Sequence, residues 1–157
     1  MTIDQTEYLK NWLFRANEDI DVIRYLSKSE LQSYQSTICL HAQQAVEKFL
    51  KAFLVYHNVD FPRTHDVDFL LKECKKIDPN DFNIDLGSLS DYGVKLRYPD
   101  DFYIPDKNAT IKNIDIALNV KKNCRKQNKC LISQLLTRTI KVSCFPYARM
   151  LRRVTLA

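Results

Sequence analysis

Glycine is scarce in this chain, which has two glycines and five prolines in 157 residues. Tight hairpin turns depend on residues that accept a positive φ, above all glycine, so a sheet protein rich in turns is disfavoured. Apolar residues make up 45% of the sequence and aromatic residues 11%, which argues against a disordered chain. A chain of this length can bury well over half of its unfolded surface. The composition therefore predicts an all-α domain with one core.

Paired cysteines, metal motifs and long apolar runs are also missing. The five cysteines are odd in number and include no Cys-x-x-Cys pair, so neither a disulfide framework nor a zinc knuckle is indicated. The sequence has no Glu-x-x-His pair and no glycine-rich phosphate loop. No apolar run approaches the roughly 20 residues of a membrane span, and the acidic N-terminus does not resemble a signal peptide. We expect a soluble cytoplasmic protein with reduced thiols, no metal and no cofactor.

Acidic residues are absent from the end of the chain. Residues 1–120 hold 14 basic and 19 acidic residues, a net charge of −5, whereas residues 121–157 hold ten basic residues and no acidic one. Such a block is typical of an arm that binds nucleic acid or an acidic partner, and it is equally compatible with sequence foreign to the domain. We assign residues 1–136 to the helical domain and residues 137–157 to a basic tail.

The spacing of apolar residues predicts five helices. In the first, Leu9, Ala16, Ile20 and Ile23 share one face, and Asp19 is assigned to the solvent side. The predicted helices run from about Asp4 to Leu26, Glu30 to Tyr56, Asp66 to Ile77, Leu86 to Lys95, and from Asn108 or Thr110 to at least Cys124 and at most Leu136. Long helices joined by short connections favour an antiparallel bundle of four to five helices.

The second helix shows the clearest pattern. Its apolar stripe comprises Tyr34, Ile38, Ala42, Ala45, Phe49 and Phe53, and the segment contains neither proline nor glycine. Glu47 and Lys51 stand one turn apart and are expected to form an ion pair. Pro99 and Pro105 mark residues 97–107 as a loop, the kind of segment that often carries function on a helical scaffold.

Three blocks of this sequence resemble the HEPN domain family, the nucleotide-binding module of higher eukaryotes and prokaryotes. They are residues 41–52 (HAQQAVEKFLKA), residues 64–66 (THD) and residues 97–100 (RYPD), in that order. The resemblance covers about residues 5–130 and implies a HEPN-like bundle that commonly dimerises. It also implies frequent pairing with a minimal nucleotidyltransferase as a toxin and antitoxin. We therefore expect a nucleotide- or RNA-associated module that forms a homodimer and has a nucleotidyltransferase partner.

Many members of the wider superfamily are RNA endonucleases that resemble one another in an Arg followed, after four to six residues, by a His. This sequence has no such pair: all its histidines precede Arg97, and Phe102, Tyr103 and Ile104 occupy the expected positions. The catalytic residues are therefore left unknown. Two alternatives stay open, a metal-independent RNA endonuclease toxin that uses Arg97 and His65, and a non-catalytic structural adaptor.

Polar residues of the second helix are the first candidates for binding a nucleotide or phosphate. Lys48 and Lys51 carry mobile charges that suit phosphate oxygens, and Gln44 can orient a base or ribose. The alternative is a solvated helix face with an ion pair between Lys51 and Glu47.

The remaining candidates follow the second helix. His65 is a candidate ligand or general base, or else a structural residue at a helix start that Thr64 or Asp66 caps. Arg97 can clamp a phosphate with two parallel hydrogen bonds beside a stacking Tyr98, or form an ion pair with Asp100 or Asp101.

Overall fold

The helices follow one another in the predicted order. The computed structural model describes residues 3–95 and 104–127. Its helices are α1 (Ile3–Ser29), α2 (Gln35–Tyr56), α3 (Val67–Ile77), α4 (Leu89–Lys95) and α5 (Lys107–Gln127), with a 3-10 turn over Leu31–Tyr34. The described residues contain no strand. The prediction of an all-α bundle of four to five helices is confirmed.

Several helix ends differ from the prediction by about one turn. The first helix ends three residues later than predicted, and the second begins five residues later because residues 31–34 form the tighter 3-10 turn. The fourth begins three residues later, after Gly87, whose φ of +54° is incompatible with a right-handed helix.

Aspartate caps fix the starts of two helices. The Asp66 carboxylate accepts a hydrogen bond from the backbone N–H of Phe69 at 3.0 Å, which confirms Asp66 as the cap of α3. Asp106 accepts from the N–H of Ala109 at 2.8 Å in the same way and starts α5. The cap at Asp66 places His65 directly before α3, beside the middle of α2.

Helix α2 is the centre of the bundle, since α1, α3 and α4 all pack against it. The predicted stripe from Ile38 to Phe53 is buried, although Tyr34 at its start is 43% exposed. The Phe53 ring lies 4.4 Å from the ring of Phe82, between their centroids, and so ties the loop after α3 to the core. Burial of these aromatic side chains, together with the aliphatic core, stabilises the bundle.

The assignment of Asp19 to the solvent side of α1 is wrong, because only 5% of this residue is exposed. Asp19 follows Ala16 by three residues and precedes Ile23 by four, which puts it on the face of α1 that meets α2. There the carboxylate contacts His41 and Lys48, so its charge is compensated inside the protein.

The compact helical unit ends at Cys124, within α5. The predicted extension of α5 toward Leu136 and the predicted tail, residues 137–157, lie outside the described residues. Among the helices that the structure describes, none combines the length and the apolarity needed to cross a membrane.

Candidate functional site

Glu47 is a buried carboxylate on α2 that holds three polar partners. The Lys51 ammonium donates to Glu47 Oε1 at 2.8 Å, and the Gln43 amide donates to Oε2 at 3.3 Å. His65 Nδ1 lies 3.1 Å and 3.2 Å from the two carboxylate oxygens. We call these four residues, with Thr64, the Glu47 cluster. It joins the middle of α2 to the segment that starts α3.

Lys51 is more enclosed than a residue on a solvated helix face. Its side chain is 6% exposed, and besides Glu47 its ammonium donates to the backbone carbonyl of Thr64 at 2.7 Å. The ammonium also lies 5.1 Å from the centroid of the Trp12 ring, a cation–π distance. The predicted ion pair with Glu47 is confirmed. Its second contact holds the chain before α3 against α2.

His65 is the exposed member of the cluster. Its side chain is 75% exposed, whereas the Glu47 side chain is 8% exposed. A carboxylate accepts hydrogen bonds, so Nδ1 is the donor in this contact and Nε2 belongs to the outer part of the ring. The buried acid thus fixes the ring orientation while leaving Nε2 available to a ligand.

Gln43 connects the cluster to α4. Its fully buried amide also donates to the backbone carbonyl of His65 at 3.4 Å, and no partner for its oxygen is present in the described structure. A Cβ added to Gly93 would lie 3.0 Å from the Gln43 amide. Helix α4 therefore packs directly on this amide, four residues before Arg97 in the sequence.

A second buried carboxylate, Asp19 on α1, forms a similar arrangement. His41 Nδ1 lies 2.9 Å from Asp19 Oδ1, and Lys48 donates to Oδ2 and, at 3.4 Å, to the side-chain oxygen of Gln44. The side chains of His41 and Lys48 are 26% and 22% exposed. In this Asp19 cluster, as in the Glu47 cluster, one acid is shared by a lysine and a histidine.

The structure thus separates the predicted site residues into two groups. Gln44 and Lys48 belong to the Asp19 cluster, and Lys51 and His65 belong to the Glu47 cluster. Arg97, Tyr98 and Asp100 lie outside the described residues, and their roles stay predictions.

Five residues of the clusters were absent from the predicted site: Asp19, His41, Gln43, Glu47 and Thr64. The sequence pattern could have indicated the burial of Asp19, because Asp19 shares the spacing of the buried residues of α1. Glu47 and Lys51 likewise lie in or beside the apolar run from Phe49 to Val55.

Metal and thiol chemistry find little support in the described residues. Within residues 3–95 and 104–127, no three His, Cys, Asp or Glu side chains are grouped so that they could hold a metal ion. Burial is the main cause that raises the pKa of the Cys39, Cys74 and Cys124 thiols. These three cysteines are therefore packing residues in their thiol form rather than nucleophiles.

A comparison with known protein families gives a match that covers most of the described helices. The family model described as "HEPN domain" matches residues 9–127, which include α2 and every member of the Asp19 and Glu47 clusters. This match supports a nucleotide- or RNA-associated module. No match was found among curated proteins or solved structures. Since the matched region spans most of the sequence, the chain belongs to the HEPN domain family.

Proposed function

We propose that this HEPN domain binds the phosphate groups of a nucleotide or of RNA at His65. The observation that supports this proposal is an exposed ring with a fixed orientation, held by Glu47 through Nδ1 at 3.1 Å. A side chain that is already ordered loses little further freedom when a ligand binds. His65 is thus better prepared for recognition than an exposed histidine with no such contact.

The charges around His65 suit an anionic ligand. The Glu47 carboxylate is buried and paired with Lys51, so it does not present a free negative charge to a phosphate. When the imidazole is protonated, Nε2–H can donate a charge-assisted hydrogen bond to a phosphate oxygen. Arg63, exposed two residues earlier, adds a second cation to this segment.

We assign the other predicted residues to the same function. Lys48, partly exposed in the Asp19 cluster, supplies a further cation, with Gln44 beside it. Arg97 is proposed to clamp a phosphate, with Tyr98 stacking on a base and Asp100 orienting the arginine. Two observations support a binding role for the segment that contains Arg97. The sequence blocks occur in the order of the HEPN family, and Gly93, four residues before Arg97, packs on Gln43 of the Glu47 cluster.

Equilibrium binding of labelled ATP and of a 5′-labelled single-stranded RNA tests the proposal. We expect His65→Ala to weaken binding by at least about tenfold, the effect of removing a hydrogen bond to a charged group. His57→Phe is the matched control, because it removes a histidine outside both clusters and keeps an aromatic ring. Equal affinity of the wild type and of His65→Ala for both ligands would exclude His65 from the binding site. No binding of either ligand at millimolar concentration would exclude the function.

RNA cleavage is the second candidate, since the contact with Glu47 also suits a general base. Nε2 of a neutral His65 would take the proton of a ribose 2′-hydroxyl, whose oxygen attacks the adjacent phosphorus. The bond to the 5′ oxygen then breaks, and that oxygen takes a proton from a second acid or water. Incubation with single-stranded RNA in EDTA tests this candidate. Cleavage should be lost in His65→Ala and in Arg97→Ala, and absence of cleavage by the wild type excludes it.

We further propose that the protein is a homodimer in the cytoplasm and the HEPN half of a toxin–antitoxin-like pair with a nucleotidyltransferase. The support is membership of the HEPN family together with the sequence resemblance. Light scattering of the purified chain, alone and mixed with a minimal nucleotidyltransferase, measures both associations. A dimer that binds neither nucleotide nor RNA and cleaves nothing would instead be a structural adaptor.

A further inference from the structure

A groove runs along α3 and shares no residue with the Glu47 and Asp19 clusters. Its volume is about 670 Å³, within the range of roughly 300–1,000 Å³ that is usual for ligand pockets. Asp68, Leu71, Lys72 and Lys75, at helical spacing, form one wall, and residues 83–87 form the other. The groove is therefore large enough for a small organic molecule.

The acidic groups of this groove already have partners. Asp68 accepts a hydrogen bond from the Ser90 hydroxyl. Asp85 accepts from the backbone N–H of Gly87 at 2.9 Å and pairs with Lys112 at 3.5 Å. The hydrogen bond from Gly87, followed by the charge of Lys112, lowers the pKa of Asp85. Both carboxylates are thus satisfied without the lysines of α3.

The basic groups of the groove are less engaged. Lys72 is exposed and makes no hydrogen bond or ion pair within the described part of the chain. Lys75 is half-buried, and its charge contributes only a minor part of the lowered pKa of Asp85. By contrast, Lys76 of the same helix donates to both carboxylate oxygens of Glu73, at 2.6 Å and 2.8 Å. The groove therefore presents two available cations on one wall.

Both walls of the groove include apolar side chains. Leu71 of the first wall and Leu86 of the second are 5% and 3% exposed, and Ile84 of the second wall is partly buried. A ligand that combines an anion with an apolar body can satisfy both parts of this lining. Residues 1–120 carry a net charge of −5, so general attraction of anions to this part of the chain is unfavourable. Any anion bound here must be recognised locally.

We propose that the α3 groove binds a small organic anion, a phosphate or carboxylate on an apolar body. The anionic group contacts the ammonium groups of Lys72 and Lys75, and the apolar body lies against Ile84 and Leu86. This site is separate from the one proposed at His65, and it does not depend on that function.

Three probes with the same ring system test the groove on the full chain: 1-naphthyl phosphate, 1-naphthoate and the neutral 1-naphthylmethanol. Amide shifts of residues 83–87 in ¹⁵N NMR titrations report binding at this place. We expect an anion to bind at least about tenfold more tightly than the alcohol, as for one charge-assisted hydrogen bond. The better of the two anions identifies the ligand as a phosphate or a carboxylate.

Charge-removing variants complete the test. Lys72→Gln and Lys75→Gln should each lower the affinity for the tighter-binding anion several-fold, and the double variant should lower it about tenfold or more. Lys76→Gln is the control, because it removes a neighbouring charge that already pairs with Glu73. Equal binding of the alcohol, an equal loss in Lys76→Gln, or no shift at residues 83–87 would each overturn the proposal. His65→Ala should leave these shifts unchanged, so the proposal for the groove and the proposal for His65 are tested independently.

Discussion

The Lys51 ammonium lies 2.8 Å from a carboxylate oxygen of Glu47, one turn away on α2, and the two side chains are only 6% and 8% exposed. An ion pair buried to this extent gains little net free energy from its attraction, because both charges have lost water. Removing one partner is strongly destabilising, since the other charge is then left buried without a counter-ion. The pair is held in place by His65, Gln43 and the Thr64 carbonyl.

Glu47→Gln should therefore lower the free energy of unfolding by about 3 kcal/mol, because Lys51 would remain charged in the interior. Urea denaturation followed by circular dichroism measures the change. Glu18→Gln removes a carboxylate from the exposed pair with Arg15, and should cost less than about 1 kcal/mol.

The double variant Glu47→Gln, Lys51→Met should recover at least half of the loss, since it removes the orphaned charge. A cost below about 1 kcal/mol for Glu47→Gln alone would show that Lys51 finds another anion or reaches solvent.

The two glycines should respond oppositely to the same pair of substitutions. Gly87 has a φ of +54°, which asparagine accepts more readily than alanine, so Gly87→Asn should be more stable than Gly87→Ala by up to about 1 kcal/mol. An alanine Cβ at Gly93 would lie 3.0 Å from the buried Gln43 amide, and asparagine would add further atoms there. Gly93→Ala should therefore be more stable than Gly93→Asn. Thermal unfolding of the four variants measures both orders, and the same order at both positions would contradict the geometry.

Helical periodicity predicted much of this fold but less of its polar interior. The stripe on α2 from Ile38 to Phe53 and the cap at Asp66 depend on residues close in sequence, and both are confirmed. The burial of Asp19 was missed because its residue type was given more weight than its position relative to Ala16. The contact between His65 and Glu47 was not predictable in this way, since it joins residues 18 apart through a loop whose path periodicity does not determine.

Buried thiols provide a test of the core. Cys39, Cys74 and Cys124 are at most 1% exposed, and burial raises the pKa of each thiol. Alkylation by iodoacetamide should then require opening of the core, and should be at least about a thousandfold slower than for a model thiol. Peptide mass spectrometry follows each cysteine separately, and the same reaction in urea is the control. Rapid native labelling of Cys124 would contradict its position against the Phe49 carbonyl.

His57, at the end of α2, should make the fold less stable in mild acid. Its ring lies 4.4 Å from the Phe53 ring, and burial lowers its pKa below the ordinary value of 6.5, although the charge of Asp78 partly opposes this shift. The unfolded chain then binds more protons than the folded one as pH falls from about 7.5 through 6.5 to the lowered value, so stability decreases across this window.

The free energy of unfolding, measured by urea titration at pH 7.5 and 5.5, should therefore fall more in the wild type than in His57→Phe. The variant keeps an aromatic ring beside Phe53 and lacks the titrating nitrogen, while every other ionisable group is the same in both proteins. The difference between the two proteins should appear only toward the lower pH, because neutral His57 and phenylalanine both leave the site uncharged at pH 7.5. An identical pH dependence, or a steeper one in the variant, would mean that His57 reaches water when it is protonated and that its burial does not oppose the charge.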